Sequence, residues 1–359
     1  MRVARQQVSR SVLLSARGEL VARILAGSWR RPVLPLDVAA DALADITPQL
    51  IRLGAGALAW RRLCVSGVSP CRATFDLRQV YRLQTLEARV HERRLVEAVG
   101  LLRGAGVEPV LAKGWAAARL YPEPGLRPYG DIDLWVRPDL HPVAVAALSS
   151  PAGQRCRVDL HDRFTQLDCA WSDVLARSRL ERLGEVEVRL LGAEDHLRLL
   201  CIHMLGHGAW RPVWLCDVAA ALESLPYDFD WARCLRGHPR HAQWIACTIG
   251  LARQLLGAGG KSGPPERRLP RWLLAALLRQ WGRDEHYMAT PSMAFALRST
   301  AGALTGLRLR WPNPIQATVG VGGPFNGLPR LPFQIAECLV RTLRFARHLP
   351  SLIRGTPPF

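Results

Sequence analysis

Apolar residues recur every three or four positions through most of the first hundred residues, a period typical of amphipathic helices. The pattern is clearest in LVARILAG (20–27), PLDVAADALADITPQLIRLGAGALAWRRL (35–63) and LRQVYRLQTLEARVHERRLVEAVGLLRGAG (77–106). Asp37 is a candidate helix start, and so is Thr47 because Pro48 follows it. We therefore predict a helical segment over residues 1–100.

The pattern changes between residues 101 and 192. VEPVLA (107–112), DIDLWV (131–136) and the middle of GQRCRVDLHDRF (153–164) are short apolar runs typical of strands. Between them, WAAARLY (115–121) and LHPVAVAALSS (140–150) predict short helices, and PEPGLRPYG predicts a loop. This alternation indicates a small α+β core at 101–192.

Helical periodicity returns at Ala193 and predicts a segment, 193–256, that packs on the core. A Gly- and Pro-rich linker then begins a last segment, 257–359, whose final helix is LPFQIAECLVRTLRFARHLP. Arg341, Arg344 and Arg347 follow one side of that helix, which fits a solvated face and equally a contact with a membrane or nucleic acid. The predicted fold class is α+β: a small core embedded in mostly helical segments.

Charge and cysteine content indicate which partners and which cellular compartment suit the chain. The chain carries 48 Lys and Arg against 30 Asp and Glu, a net charge of +18. This suggests a polyanionic partner, although an Arg-rich composition explains it equally well. The nine cysteines form no CxxC pair and fit buried apolar positions in a reducing cytoplasm. No apolar run of about 18 residues predicts a transmembrane helix, and Arg17 and Glu19 interrupt any signal peptide.

Three aspartates are candidates for metal binding. Asp131 and Asp133 are two apart in one predicted strand and so share a face, while Asp159 lies in another predicted strand. Carboxylates this close repel each other unless cations lie between them, and a pair of Mg²⁺ ions would satisfy that need. Such a site can stabilise both the attacking and the leaving oxygen of a phosphoryl transfer.

Upstream residues are candidates for phosphate binding. Gly114 ends a predicted strand and opens a helix, where free backbone N–H groups favour phosphate. Lys113 is one of only two lysines in the chain and adds a compact ammonium. Arg127 offers a planar fork suited to phosphate oxygens. An ordinary tight turn and a solvated loop cation are the alternatives.

LAKGWAAARLYPEPGLRPYGDIDLWVRPD resembles the signature of the uncharacterised nucleotidyltransferase family in the DNA polymerase beta-like superfamily. The resemblance extends over residues 45–235, through LAWRRL, VDLHDRF, EDHLRLLCIHMLGHG and WLCDVA. Family members are met in lasso-peptide and related clusters, and abortive-infection toxin nucleotidyltransferases are similar. The resemblance implies a polymerase beta-like palm.

The same resemblance implies residue roles and substrates. Asp131, Asp133 and Asp159 would bind two Mg²⁺ ions, with Asp159 activating the acceptor hydroxyl. Lys113, Gly114 and Arg127 would hold the phosphates of a nucleoside triphosphate. Nucleoside monophosphate would pass to an acceptor, which is a peptide, a small molecule or RNA such as tRNA, with release of pyrophosphate.

Two features depart from the family pattern. Trp115 replaces the serine common after the glycine of this turn, and only 25 residues separate Asp133 from Asp159. They favour the alternative of a non-catalytic nucleotide-binding or scaffold protein on a degenerate core.

Several other polar residues have more than one interpretation. His161 shares the strand face of Asp159 and is a candidate nucleotide contact or a solvated histidine. Asp217, in the apolar run VWLCDVAAAL, either contacts nucleotide or forms a structural hydrogen bond, for example to a histidine of the preceding helix. His196, His203 and His207 fall on one helical face, where helix packing, capping or a nucleotide contact is favoured over metal binding.

Overall fold

Four helices precede the first strand in the chain. In the computed structural model, residues 2–260, 263–264, 268–283 and 310–353 are described, with side chains between residues 12 and 344. The first four helices are α1 (Arg2–Leu25), α2 (Ala40–Arg52), α3 (Gly56–Cys64) and α4 (Arg72–Gly104).

Both predicted starts near α2 are wrong. The helix begins at Ala40, three residues after Asp37, and it runs on through Thr47 and Pro48. Its stripe of Leu43, Ile46 and Leu50 is completely buried. Burial of that continuous stripe outweighs the hydrogen bond that Pro48 removes from the helix.

The predicted α+β core contains a five-stranded mixed sheet, which lies inside residues 101–192. Its elements are β1 (Val110–Leu111), α5 (Gly114–Ala118), β2 (Ile132–Trp135), a 3₁₀ turn (Pro138–Leu140), α6 (His141–Leu148), α7 (Pro151–Cys156), β3 (Val158–His161), α8 (Trp171–Arg177), β4 (Arg179–Leu183) and β5 (Val186–Leu190). The strand order is β3-β2-β1-β5-β4. The α+β prediction is confirmed, whereas the β4–β5 hairpin was not anticipated.

Strand direction places the candidate site. β2 and β3 are parallel, joined by α6 and α7, and β1 is antiparallel to β2. β5 is parallel to β1 and antiparallel to β4. Side chains alternate between the two faces of a strand. One face packs on α4, α6 and α7 through Leu134 and its neighbours, and the other carries Asp133 and Trp135.

The remaining described helices follow the sheet in the chain. They are α9 (Ala193–Gly206), α10 (Pro212–Glu223), α11 (Trp231–Cys234), α12 (Pro239–Leu256), α13 (Arg271–Trp281), α14 (Pro314–Gly320) and α15 (Leu331–Ile353). One hydrophobic core joins residues of α1 to α4 with residues of α9, α10, α12 and α13. The predicted segments 1–100 and 193–256 therefore share a core, although their exact boundaries stay a prediction.

The end of the chain is described only in part. The predicted linker lies partly outside the described residues, and so does the side chain of Arg347. On the same helix, Arg341 donates a hydrogen bond of 2.7 Å to Glu337. Across the described ranges, no helix is both long and apolar enough to span a bilayer.

Candidate active site

The centre of the candidate site is a cluster on two adjacent parallel strands. Asp133 on β2 and Asp159 on β3 are partners in the sheet register, and His161 follows on the same face of β3. His161 Nε2 lies 3.2 Å from Asp133 Oδ1 and 3.3 Å from Asp159 Oδ2. We call these three residues the Asp-Asp-His cluster. One ligand atom from each lies within 4.8 Å of the others.

This donor set fits a divalent metal ion. Carboxylate oxygens are the ligands that Mg²⁺, Ca²⁺ and Mn²⁺ prefer, and an imidazole nitrogen suits softer divalent ions. Asp133 is 8% exposed and Asp159 55% exposed, so the cluster has a buried side and a side open to solvent. Asp131 lies just before β2, is exposed, and is outside the cluster. The structure therefore brings together Asp133 and Asp159, with His161 in place of Asp131.

Lys113 reaches the cluster from a sharp turn between β1 and α5. Its backbone has φ 56° and ψ −142°, and Gly114 follows with φ 28°. Lys113 Nζ donates a hydrogen bond of 2.7 Å to Asp133 Oδ1 and lies 4.8 Å from the centre of the Trp135 ring. A side chain on residue 114 would find ordinary contact distances of 3.5 Å or more, so φ rather than space favours glycine there.

The surroundings of Asp133 favour its ionised form. Burial raises the pKa of this carboxyl, but hydrogen bonds from His161 and Lys113 outweigh burial and leave the pKa below its ordinary value. The carboxylate is therefore charged at neutral pH, as a metal ligand must be.

A stack of aromatic rings fixes the imidazole of His161. Trp135 lies against His161 with 4.4 Å between ring centres, and Phe164 lies on Trp135 at 4.8 Å. Trp171 continues the stack at 5.9 Å from Phe164. Offset stacking of this kind restricts ring rotation and holds Nε2 toward the two carboxylates.

Arg127 and Asp217 form a buried ion pair. Arg127 Nη2 donates to Asp217 Oδ2 at 2.8 Å, and Nε lies 3.1 Å from the same oxygen. Tyr121 donates its hydroxyl to Asp217 Oδ1 at 2.8 Å. Burial opposes ionisation of Arg127, but Asp217 outweighs it and raises the pKa of Arg127. The structural hydrogen bond considered for Asp217 is thus present, with Tyr121 and Arg127 as partners rather than a histidine.

These contacts determine what Arg127 offers to a ligand. The Nε and Nη2 atoms of its guanidinium donate to Asp217, and the remaining nitrogen, Nη1, donates to the Pro128 carbonyl at 3.3 Å. The pair joins the loop before β2 to α10 and so positions the start of β2. Binding of nucleotide by Arg127 and Asp217 stays a prediction.

Comparison with known proteins places the chain in a family. A family model described as an uncharacterised nucleotidyltransferase matches residues 43–155 and 149–257, which is more than half of the 359 residues. The chain belongs to this nucleotidyltransferase family. No curated protein and no solved structure matched it.

Membership in this family confirms the resemblance seen in the sequence. It also relates the Asp-Asp-His cluster to nucleotidyl transfer. Nucleotidyltransferases act on nucleoside triphosphates, and the matched range contains Lys113 and the whole Asp-Asp-His cluster. Family and geometry together support metal-dependent nucleotidyl transfer.

The three histidines of α9 and its C-terminal end differ in their exposure to solvent. His196 is buried, His203 is partly exposed, and His207 is exposed just beyond the end of α9. In the part of the chain that the structure describes, they belong to no group of side chains suited to a metal ion. The packing interpretation stays a prediction.

Residues 210–214 were missed by the reasoning from sequence. Trp214 lies beside His203 and His207, Trp210 contacts Trp214, and Arg211 lies over both tryptophans. The signal that could have identified them is WRPVW, two tryptophans four residues apart at a proline-marked helix start.

Proposed function

We propose that this protein is a metal-dependent nucleotidyltransferase, transferring a nucleoside monophosphate from a nucleoside triphosphate to an acceptor with release of pyrophosphate. The observation that carries the proposal is the Asp-Asp-His cluster with the Lys113 ammonium beside it. The proposed metal is Mg²⁺, with two ions. Bound there, it would neutralise charge on the transferring phosphoryl group.

The metal ligands proposed are Asp133 and Asp159 from the cluster, together with Asp131 at the start of β2. His161 lies between Asp133 and Asp159 and either completes the ligand set or orients the two carboxylates. The aromatic stack behind His161 supports this role because it limits the positions the ring can adopt.

In the proposed reaction, an acceptor oxygen attacks the α-phosphorus and a new P–O bond forms. The bond between the α-phosphorus and its bridging oxygen breaks, and pyrophosphate leaves with the electron pair. Asp159 takes the acceptor proton, a role supported by its exposure to solvent. Lys113 and the backbone of Gly114 hold the triphosphate, and electrostatic positioning supplies most of the acceleration.

The acceptor is proposed to be RNA, such as a tRNA end, because the net charge of +18 favours a polyanion. A biosynthetic peptide or another small molecule is the competing class. The scaffold alternative is favoured by the short connection between β2 and β3, in which the structure shows a 3₁₀ turn and two short helices.

The test is incubation with each α-³²P-labelled nucleoside triphosphate and Mg²⁺ or Mn²⁺, with and without RNA. We expect labelled product that disappears in Asp133→Asn and Asp159→Asn. Asp173→Asn, the same replacement on α8 outside the cluster, is the matched control and should retain activity. Nucleotide binding without transfer to any acceptor would instead support the scaffold alternative.

A further inference from the structure

A group of aromatic rings lies where α9 ends and α10 begins. Ring centres of His203 and His207 are 4.5 Å apart, and those of His203 and Trp214 are 5.0 Å apart. Trp210 meets Trp214 edge to face at 5.5 Å. We call these four residues the His-Trp face. His207 is exposed and both tryptophans are partly exposed, so a flat ligand can reach the rings.

The His-Trp face borders the proposed triphosphate site. Helix α10, which carries Trp214, packs against α5, and α5 begins directly after Lys113. Burial is the main cause that lowers the pKa of His203 to about 2, and the charge of Lys113 contributes in the same direction. Burial also lowers the pKa of His207, with Lys113 acting in the same direction and Asp133 in the opposite one. Because electrostatic interactions weaken with distance, these influences agree with the packing of α10 on α5, which brings the His-Trp face near Lys113.

The chemistry of the face suits an uncharged aromatic ring. Both histidines are neutral at physiological pH, so the face combines indole and imidazole surfaces without a net charge of its own. Arg211 lies 5.5 Å from the centre of the Trp210 ring and 5.8 Å from that of Trp214. Its buried Nε has no hydrogen-bond partner among the described residues.

We propose that the His-Trp face binds the nucleobase of the donor nucleotide by stacking on Trp210 and Trp214, while its phosphates lie at Lys113. This inference rests on the proposed nucleotidyl transfer and assigns the other end of the same substrate. Every nucleobase has a π-face that can stack on an indole, and neutral histidines can hydrogen-bond to base edges.

The donor's base is a better occupant than a base of an RNA acceptor. The face adjoins Lys113, the residue proposed to hold the donor triphosphate, so one nucleotide can contact both. Asp159, the proposed proton acceptor for the incoming hydroxyl, lies on the edge strand β3 and is open to solvent. An acceptor can therefore approach from the side of β3.

The experiment measures binding by calorimetry, without turnover, in the presence of Mg²⁺. The two probes are α,β-methylene-ATP and inorganic tripolyphosphate, which lacks the base. We expect Trp210→Leu and Trp214→Leu to weaken binding of the ATP analogue by roughly 5- to 100-fold. Binding of tripolyphosphate should be unchanged.

Two further variants serve as controls, one with a substitution outside the His-Trp face and one with a substitution at its exposed edge. Tyr227→Leu removes an exposed aromatic ring beyond the far end of α10 and should bind both probes as wild type does. His207→Ala changes an exposed member of the face and should weaken the ATP analogue alone without unfolding the protein. Circular dichroism establishes that each variant is folded.

Three outcomes would overturn the inference. One is unchanged affinity for the ATP analogue in both tryptophan variants, and another is an equal loss for both probes. The third, from a parallel titration with RNA, is weaker RNA binding with unchanged analogue binding, which would assign the face to the acceptor. If wild-type protein binds neither probe, the proposed function itself fails, a result distinct from a loss confined to the face.

Discussion

Replacing Asp217 by asparagine tests whether the Arg127–Asp217 pair is a structural element. Asp217 is completely buried, and Arg127 is 7% exposed. Asparagine keeps the shape of the side chain and an oxygen acceptor but removes the negative charge. Arg127 would then be a buried cation without a counterion.

The structure predicts a large loss of stability. Removing one partner of a buried ion pair costs about 3–5 kcal/mol, because the remaining charge is uncompensated. We expect the free energy of unfolding to fall by about that amount in Asp217→Asn. Replacing all three members (Tyr121→Phe, Arg127→Met and Asp217→Leu) should cost less, because no buried polar group is then left unpaired.

The assay is urea unfolding followed by circular dichroism at neutral pH. A loss below about 1 kcal/mol in Asp217→Asn would refute the reasoning, since it would mean that Arg127 finds another partner or reaches solvent. The triple variant also tests the predicted nucleotide contact. If it folds and binds tripolyphosphate as wild type does, Arg127 is not a phosphate ligand.

Other predictions concern the cluster, the turn and a buried histidine. Asp133→Asn should weaken Mn²⁺ binding at least ~10-fold by titration calorimetry, and equal affinity in wild type and variant would contradict the proposed ligand set. Lys113→Arg should lose transfer activity, because the bulkier planar group does not fit beside a phosphate at Gly114; an active variant would count against this. Burial lowers the pKa of His196 to about 4 from 6.5. Between pH 6.5 and pH 4 the imidazole is therefore protonated in the unfolded chain but largely neutral in the folded chain. The free energy of unfolding should fall by about 3 kcal/mol over that range. Urea unfolding of His196→Gln across that range should show a smaller drop, and an unchanged pH dependence would assign the effect elsewhere.

Local pattern was enough to predict the framework of the site. Short apolar runs identified the strands of Asp133 and Asp159, and the structure shows that these strands are neighbours, paired in parallel. The Gly114 turn was predicted from its position after an apolar run. These features depend on a few consecutive residues, which is why the sequence reveals them.

Features that depend on distant partners were beyond such reasoning. Arg127 pairs with a residue 90 positions away, and His161 faces Asp133 across 28 positions. The β4–β5 hairpin carries charged residues at most outward positions and lacks the apolar run that marked the other strands. Only tertiary packing decides such contacts.

The backbone of Lys113 implies a conflict between folding and chemistry at this one position. A non-glycine residue with φ 56° and ψ −142° costs on the order of 1–3 kcal/mol, which a glycine would avoid. Lys113→Gly would relieve this backbone cost, but it would also leave the buried Asp133 carboxylate without its ammonium partner, a loss that opposes the gain. The strained turn therefore keeps an ammonium next to a buried carboxylate, an arrangement in which backbone stability is exchanged for charge at the site.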